Sequence, residues 1–222
     1  MAGTGSCRQC SAVLAAPLDH APFCRPECRA TWNRERMGEA GALAWSVAAM
    51  SEATGRLALV RTGDVPQALA AVEEAVWWIT MVDATLMRHH LDVYEGVLGA
   101  SGAAERFRTG QTLAGLSFVR DRIGADTDLS EVVDTSLSRA ADRRITNWRW
   151  MRIPAPPVGP AKHQQDQAAA GYRAYQGQLA GRMIGEAIGL AVTFLTFTGA
   201  SAASAIDLSE RATRKPASGP RT

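Results

Sequence analysis

Residues 64–90 read DVPQALAAVEEAVWWITMVDATLMRHH. Within them Leu69, Val72, Val76, Ile79, Val82 and Leu86 recur at spacings of three and four. That is the period of an α-helix, and it lays one apolar stripe over about five turns. Trp77 and Trp78 widen the stripe. Asp64 is a side-chain acceptor just ahead of the run, Pro66 stands just inside it, and both signal a helix start. His89 and His90 mark the end, where imidazoles face the carbonyl end of the helix dipole. A long amphipathic helix of this kind needs partners to cover its apolar face.

Downstream, residues 99–102 read as a loop and Ala103–Ile123 as a second amphipathic helix, with Leu113, Leu116, Val119 and Ile123 on one face and Gly124 as its stop. A polar stretch follows, with a short helix expected around Leu129–Ser138. Residues 145–153 alternate apolar and polar. Trp148 and Trp150 fall on one side and Asn147, Arg149 and Met151 on the other, a pattern for a strand or extended segment that covers the bundle or, as the alternative, pairs with a partner. Prolines at 154, 156, 157 and 160 enforce an extended linker over 154–160. Helices are expected over His163–Leu179 and Gly181–Phe197, and a disordered tail over 207–222. Upstream, a helical run from Pro26 to about Val60 has a mixed apolar face of Trp32, Met37, Leu43, Trp45 and Val47. Gly38 is expected to break it.

Composition sets the bounds. The chain has 222 residues, 46% hydrophobic and 21% charged, enough for one medium domain with a small appendage. A net charge of +2 does not by itself argue for nucleic acid. Only Lys162 and Lys215 are lysines, and with abundant alanine this is the bias of a GC-rich, actinobacterial kind of genome. Residues 1–15 lack an apolar segment behind a basic one, so a cytoplasmic setting is expected, where thiols stay reduced. Residues 187–206 carry no charge and have about the length of a bilayer span. Their second half is Thr, Gly, Ser and Ala, and the flanks lack aromatic anchors, so a buried helix is expected and a membrane partner is not.

All four cysteines lie near the start, as Cys7, Cys10, Cys24 and Cys28. The spacing C-x2-C-x13-C-x3-C matches two metal-binding corners. Four thiolates satisfy tetrahedral zinc and leave no open position, so the ion would be a structural Zn2+. Some thirty residues cannot fold on a hydrophobic core alone, and metal binding would supply the folding energy. The competing readings are a redox dithiol at Cys7–Cys10 and His20 replacing one ligand.

Cys7-Arg-Gln-Cys10, then Phe23-Cys24 with Cys28-Arg29 and Trp32, resembles short zinc fingers with a closing Phe-Cys-x3-Cys-Arg knuckle. Small zinc-binding inhibitors of DNA gyrase carry it, and so do many actinobacterial proteins of unknown function. The resemblance covers residues 7–36 and implies zinc with a ribbon or treble-clef shape. Arg25, Arg29, Trp32 and Arg36 are the candidate contacts for nucleic acid or a protein partner; the competing reading is a purely structural cap with a solvated surface and Trp32 packed under the finger.

Residues 115–124, GLSFVRDRIG, are similar to segments of HEPN-like ribonucleases, where an arginine holds phosphate and a following histidine moves the proton. Arg120 fits. Asp121 stands where those proteins have an amide, and Ala125 and Asp126 stand where the histidine belongs, so the resemblance implies a degenerate copy. His89 and His90 are the cryptic substitutes, otherwise solvent-exposed helix-end residues. Glu73, Glu74 and Asp83 are expected to pair with Arg120 and Arg122. No catalytic residue and no small-molecule substrate is assigned.

The resulting expectation is a mainly α protein. A four-cysteine zinc finger over 1–36 precedes a helical bundle over 37–206 with one short extended segment. Its function is that of a non-enzymatic zinc-binding regulator or adaptor. The alternatives are a degenerate HEPN-like ribonuclease relative and a membrane-associated protein held through 187–206.

Overall fold

A computed structural model describes residues 7, 10–13, 24–61, 63–123, 129–136, 144–155 and 162–213. The elements are α1 (Pro26–Leu59), α2 (Val65–His89), α3 (Leu91–Ala100), α4 (Ala103–Ile123), β1 (Val133–Asp134), β2 (Arg149–Trp150), α5 (Lys162–Gln178) and α6 (Ile184–Thr213). The protein is mainly helical, and among the described residues a two-stranded antiparallel ribbon pairs Val133 with Trp150. Two compact units are found, Met1–Ala44 with Ala203–Thr222, and Trp45–Ala202. The boundary read from sequence lies instead at residue 36.

Helix α2 forms as its sequence dictates. The Asp64 carboxylate accepts from the Gln67 N–H at 3.1 Å and caps the first turn. Ala68, Val72, Val76, Ile79, Val82 and Leu86 are buried. Trp77 does not widen that stripe, because it is 46% exposed. The chain breaks at His90 (φ −138°, ψ 39°) and, with no proline to prevent it, re-enters a helix at Leu91. That helix, α3, is absent from the sequence-based expectation. It buries Tyr94, whose ring meets Phe194 edge-on at 5.1 Å.

Helix α1 runs without interruption from Pro26, correcting the expected break near Gly38. A single glycine costs about 1 kcal/mol in a helix but leaves the N–H ladder intact, unlike proline. Among its described positions Cys28, Leu43, Met50, Ala53 and Leu57 are buried, whereas Trp45 is 65% exposed. The expected helix around Leu129–Ser138 is a single 3-10 turn at Leu129–Glu131 followed by β1, and residues 137–143 lie outside the described ones. Helix α6 continues to Thr213, beyond the expected tail start at Asp207. Residues 207–213 contain Leu, Glu, Arg and Ala, all good helix formers, and Pro216 is the first breaker. Residues 214–222 and the linker residues 156–160 are outside the described set.

The Trp-x-Trp segment is interior. Trp148 is 0% and Trp150 1% exposed, and Asn147, Arg149 and Met151 point outward as the alternation predicts. Only Arg149–Trp150 is strand, and Ile145–Asn147 is a 3-10 turn. The segment is held on both edges. Met151 N–H donates to Val132 O at 2.8 Å, Gly181 N–H to Trp150 O at 2.7 Å and Ile184 N–H to Trp148 O at 2.8 Å. From α5, the Tyr175 hydroxyl donates to Met151 O at 2.5 Å and the Gln176 side-chain amide to Ile153 O at 2.7 Å.

Helices α4 and α5 approach closely at Gly115. A Cβ there would lie 2.8 Å from Leu179 Cδ1 and 3.3 Å from the Tyr175 backbone. The backbone cannot swing aside as a leucine tip can. Gly115→Leu is therefore expected to lower the unfolding free energy by about 3 kcal/mol through overpacking, read as a reduced urea midpoint. Gly110, whose added Cβ would meet nothing within 4 Å, is the control: Gly110→Ala is expected to be neutral or stabilising.

Along α6, Ile184–Ile206 is long and apolar enough to cross a membrane by length and composition, with mean hydropathy 1.5 and 44% of that stretch buried inside the protein. The burial follows one stripe, Ile184, Ile188, Ala191, Leu195, Thr198, Ala202 and Ile206, while Thr193, Thr196 and Phe197 face outward.

Candidate metal centre

Cys7 and Cys10 flank a tight turn. Cys7 N–H donates to Ala12 O and Ser11 N–H to Cys7 O, each at 2.8 Å, and Ser11 adopts a left-handed φ of 59°. Cys24 precedes α1 and Cys28 sits in its first turn. Pro26 starts that helix with a φ already suited to it and no N–H to leave unsatisfied. The dipole at a helix start favours thiolate over thiol.

These two corners bring four sulfurs together, all within 4.8 Å of one another. Cys10 to Cys24 and Cys24 to Cys28 are each 3.5 Å, and Cys28 to Cys10 is 3.8 Å. A disulfide has its sulfurs about 2.05 Å apart, so none of these pairs is bonded. A tetrahedral ion with metal–sulfur bonds of about 2.3 Å separates its sulfurs by about 3.8 Å, close to the 3.5–3.8 Å separations among Cys10, Cys24 and Cys28. The redox-dithiol reading of Cys7–Cys10 alone does not account for Cys24 and Cys28 joining the same cluster. His20 lies outside the described residues. The donor set and the geometry therefore fit one metal ion, and Cys7, Cys10, Cys24 and Cys28 would hold it.

Without an ion the crowded thiols share their protons. Hydrogen bonding from Cys10, then Cys28, pushes the Cys24 thiol up to about 12. A bound cation reverses that preference by making four thiolates favourable together. Cys7 and Cys28 are buried, and Cys10 and Cys24 are exposed.

Arg25 belongs to this centre. Its guanidinium is held above its ordinary pKa by the Cys28 sulfur first and by Cys24 next. It therefore lies beside two of the sulfurs, and its place in the arginine series keeps it a candidate partner contact as well. Arg29, Trp32 and Arg36 are in α1, and their side chains lie outside the described residues.

The second region marked by the sequence is different in kind. Arg120 pairs at 2.7 Å with its neighbour Asp121. Glu74 reaches Arg56 of α1 at 2.5 Å, not Arg120 or Arg122 as expected, because α1 lies on that side of α2. His89 is exposed, but His90 is buried, 6% exposed, at the α2–α3 junction, a correction to the reading of both as surface residues. Residues 124–128, where a HEPN-like histidine would fall, lie outside the described ones.

Asp83 is buried and accepts from the Tyr94 hydroxyl at 2.8 Å. Burial raises its carboxyl pKa, and the Tyr94 hydrogen bond and the Arg120 charge oppose that rise without cancelling it. Burial, then the Asp83 charge, push the Tyr94 phenol up as well. The folded state thus favours protonated Asp83. The associated stability is fully present below the ordinary value of 3.8 and is lost as pH rises through the higher folded value. Asp83→Asn keeps an acceptor for Tyr94 and stays neutral. Relative to the natural chain, its unfolding free energy is expected to rise with pH across that window and to stay level above it. Urea melts between about pH 3.5 and 8 check this.

Comparison of the chain with protein-family models, with curated proteins and with solved structures finds no match.

Proposed function

We propose that this chain is a non-enzymatic zinc-binding adaptor or regulator, whose finger over residues 7–36 carries its contact with nucleic acid or with a protein partner. The observation that carries this reading is the convergence of Cys7, Cys10, Cys24 and Cys28 to within 4.8 Å. Tetrahedral sulfur sites suit zinc or iron, and zinc is the ion whose closed four-thiolate sites serve structure alone. With no coordination position left for water or substrate, the metal holds the chain in shape. Helix α1, which starts between two of the ligands, carries Arg29, Trp32 and Arg36 at spacings of three and four. An ion-ordered start would therefore fix the direction in which that basic and aromatic series leaves the finger.

Elemental analysis of the reduced, purified chain is expected to give one zinc per chain. Binding to mixed single- and double-stranded nucleic acid is then measured against salt. If phosphates are the target, Arg29→Ala combined with Arg36→Ala weakens binding and lowers the slope of log K against log salt by about two. If nucleic acid does not bind, the same double variant should lose a protein partner captured by the wild-type finger. Absence of stoichiometric zinc overturns the reading. RNA cleavage lost on Arg120→Ala would replace it with a HEPN-like ribonuclease. Partition into lipid vesicles that depends on Ile184–Ile206 would replace it with a membrane-attached protein.

A further inference from the structure

A cavity of about 270 Å3 lies within the Trp45–Ala202 unit, where α4, the end of α5 and the start of α6 meet. Arg108 and Thr112 reach it from α4, Gln178 from the last position of α5, Arg182 from the α5–α6 turn and Glu186 from the first turn of α6. We propose that this cavity binds the phosphate group of a small phosphorylated molecule.

The donors come first. Neither Arg108 nor Arg182 has an ion-pair partner among the described residues, although ion pairs form elsewhere at Arg56 and Arg120. Both guanidinium groups are therefore available, and their planar forks match tetrahedral oxyanions in a two-point fashion. Gln178 adds an amide that can donate.

Thr112 adds a hydroxyl to the cavity wall. It is only 3% exposed and lines the cavity. Several helical hydroxyls in this chain bond the carbonyl four residues back: Ser51 on Val47 at 2.9 Å, Thr80 on Val76 at 3.0 Å, Thr193 on Gly189 at 2.8 Å and Thr198 on Phe194 at 2.8 Å. Thr112 makes no such bond, and no partner is found for it among the described residues. Its oxygen is not among the fully enclosed polar atoms that lack a partner, so it is open to the cavity. A ligand oxygen in the cavity would satisfy it.

The field has the right sign. The N-terminal end of α6 and the C-terminal end of α5 both meet the cavity, so their dipoles offset each other and the charged side chains set the sign. Two arginines outweigh the single carboxylate of Glu186. That carboxylate is placed to accept from a hydroxyl on the organic part of the ligand, but it repels the phosphate. The volume is below the roughly 300–1,000 Å3 of drug-sized sites, so the ligand has only a few carbon atoms. The site involves none of the cysteines, and its fate is separate from that of the zinc reading.

Isothermal titration calorimetry on the full chain at low salt, with inorganic phosphate, pyrophosphate and glycerol 3-phosphate as probes, tests it. Acetate at matched ionic strength is the control. At least one phosphate is expected to bind at a single saturable site. Arg108→Gln and Arg182→Gln should each weaken that binding about tenfold or more, the loss of one charge-assisted contact. Thr112→Val should weaken it several-fold with an unchanged melting temperature. Glu186→Gln should tighten it about threefold by removing a like charge, a sign that a merely structural residue would not give. Both arginines are exposed, and circular dichroism checks that each variant folds. If Arg182→Gln perturbs its turn, Arg108→Gln alone decides. The proposal is overturned if none of the three probes saturates, if acetate gives the same heat, or if binding survives unchanged in a folded arginine variant.

Discussion

Cys28→Ser is expected to cost the chain its metal: zinc content falls from one per chain to none after dialysis, and residues 7–36 become the first segment cut in limited proteolysis. Cys28 is the right ligand to remove. It is buried and sits in the first turn of α1, 3.5 Å from the Cys24 sulfur and 3.8 Å from that of Cys10. Serine is nearly the same size, so the change removes a thiolate and little else. Changes to groups that merely support metal ligands already cost about 10–100-fold in affinity, and loss of a ligand should exceed that. The consequence is large because binding is coupled to folding. Structural zinc contributes about 10–16 kcal/mol in small fingers, more than so short a segment gains from burial. A chelator should reproduce the effect in the natural chain. Retention of full zinc by Cys28→Ser would contradict a four-sulfur site. The near-UV signal of the buried tryptophans Trp148 and Trp150 should change far less, since they belong to the Trp45–Ala202 unit.

The second large effect is expected at those tryptophans. Trp148→Ala should lower the unfolding free energy by about 3–5 kcal/mol, the usual loss for emptying a large aromatic site. Against a total stability of about 5–15 kcal/mol, that is a large share, and it corresponds to a fall in melting temperature of about 10 °C or more. Trp148 is fully buried, and its backbone carbonyl is fixed by Ile184 N–H at 2.8 Å, so the segment cannot readily shift to fill the void. Trp150→Ala should behave similarly. The conservative variants separate packing from hydrogen bonding. Trp148 Nε1 and Trp150 Nε1 have no hydrogen-bond partner among the described residues. Trp150→Phe therefore removes an unsatisfied donor along with part of the ring, and those terms oppose. It should lose less than half as much as Trp150→Ala. Equal losses in the two variants would mean that the indole N–H is satisfied in solution.

Much of this architecture is legible in the chain itself. The limits of α4, Ala103–Ile123, follow from an apolar stripe bounded by glycine. The start of α2 follows from Asp64 and Pro66, whose effects are local. The alternation around Trp148 and Trp150 predicts their burial because neighbouring side chains on an extended backbone must point to opposite sides. The same local rules mislead where no local signal decides. Trp45 looks like a core residue by hydrophobicity, yet the face of α1 that is covered runs through Leu43, Met50, Ala53 and Leu57. Gly38 looks like a break, yet nothing in the sequence around it replaces the helical hydrogen bonds. Tyr94 is a modest signal for a helix after His90, and its helix is stabilised by contacts with Asp83 and Phe194, distant in sequence.

The cysteine spacing by itself determined that two thiol-bearing corners exist near the start and that their chemistry suits a metal. Only the folded chain brought all four sulfurs within 4.8 Å of one another and set Arg25 beside Cys28 and Cys24. Likewise, no short-range pattern in the sequence joins Arg108 and Thr112 to Arg182 and Glu186; the packing of α4 against the α5–α6 turn does. Helical periodicity and ligand spacing are properties of consecutive residues, fixed by backbone geometry within a few turns. The covered face of a helix, the partner of a charge and the walls of a cavity depend on which distant segment arrives there, and that is decided by burial across the whole core.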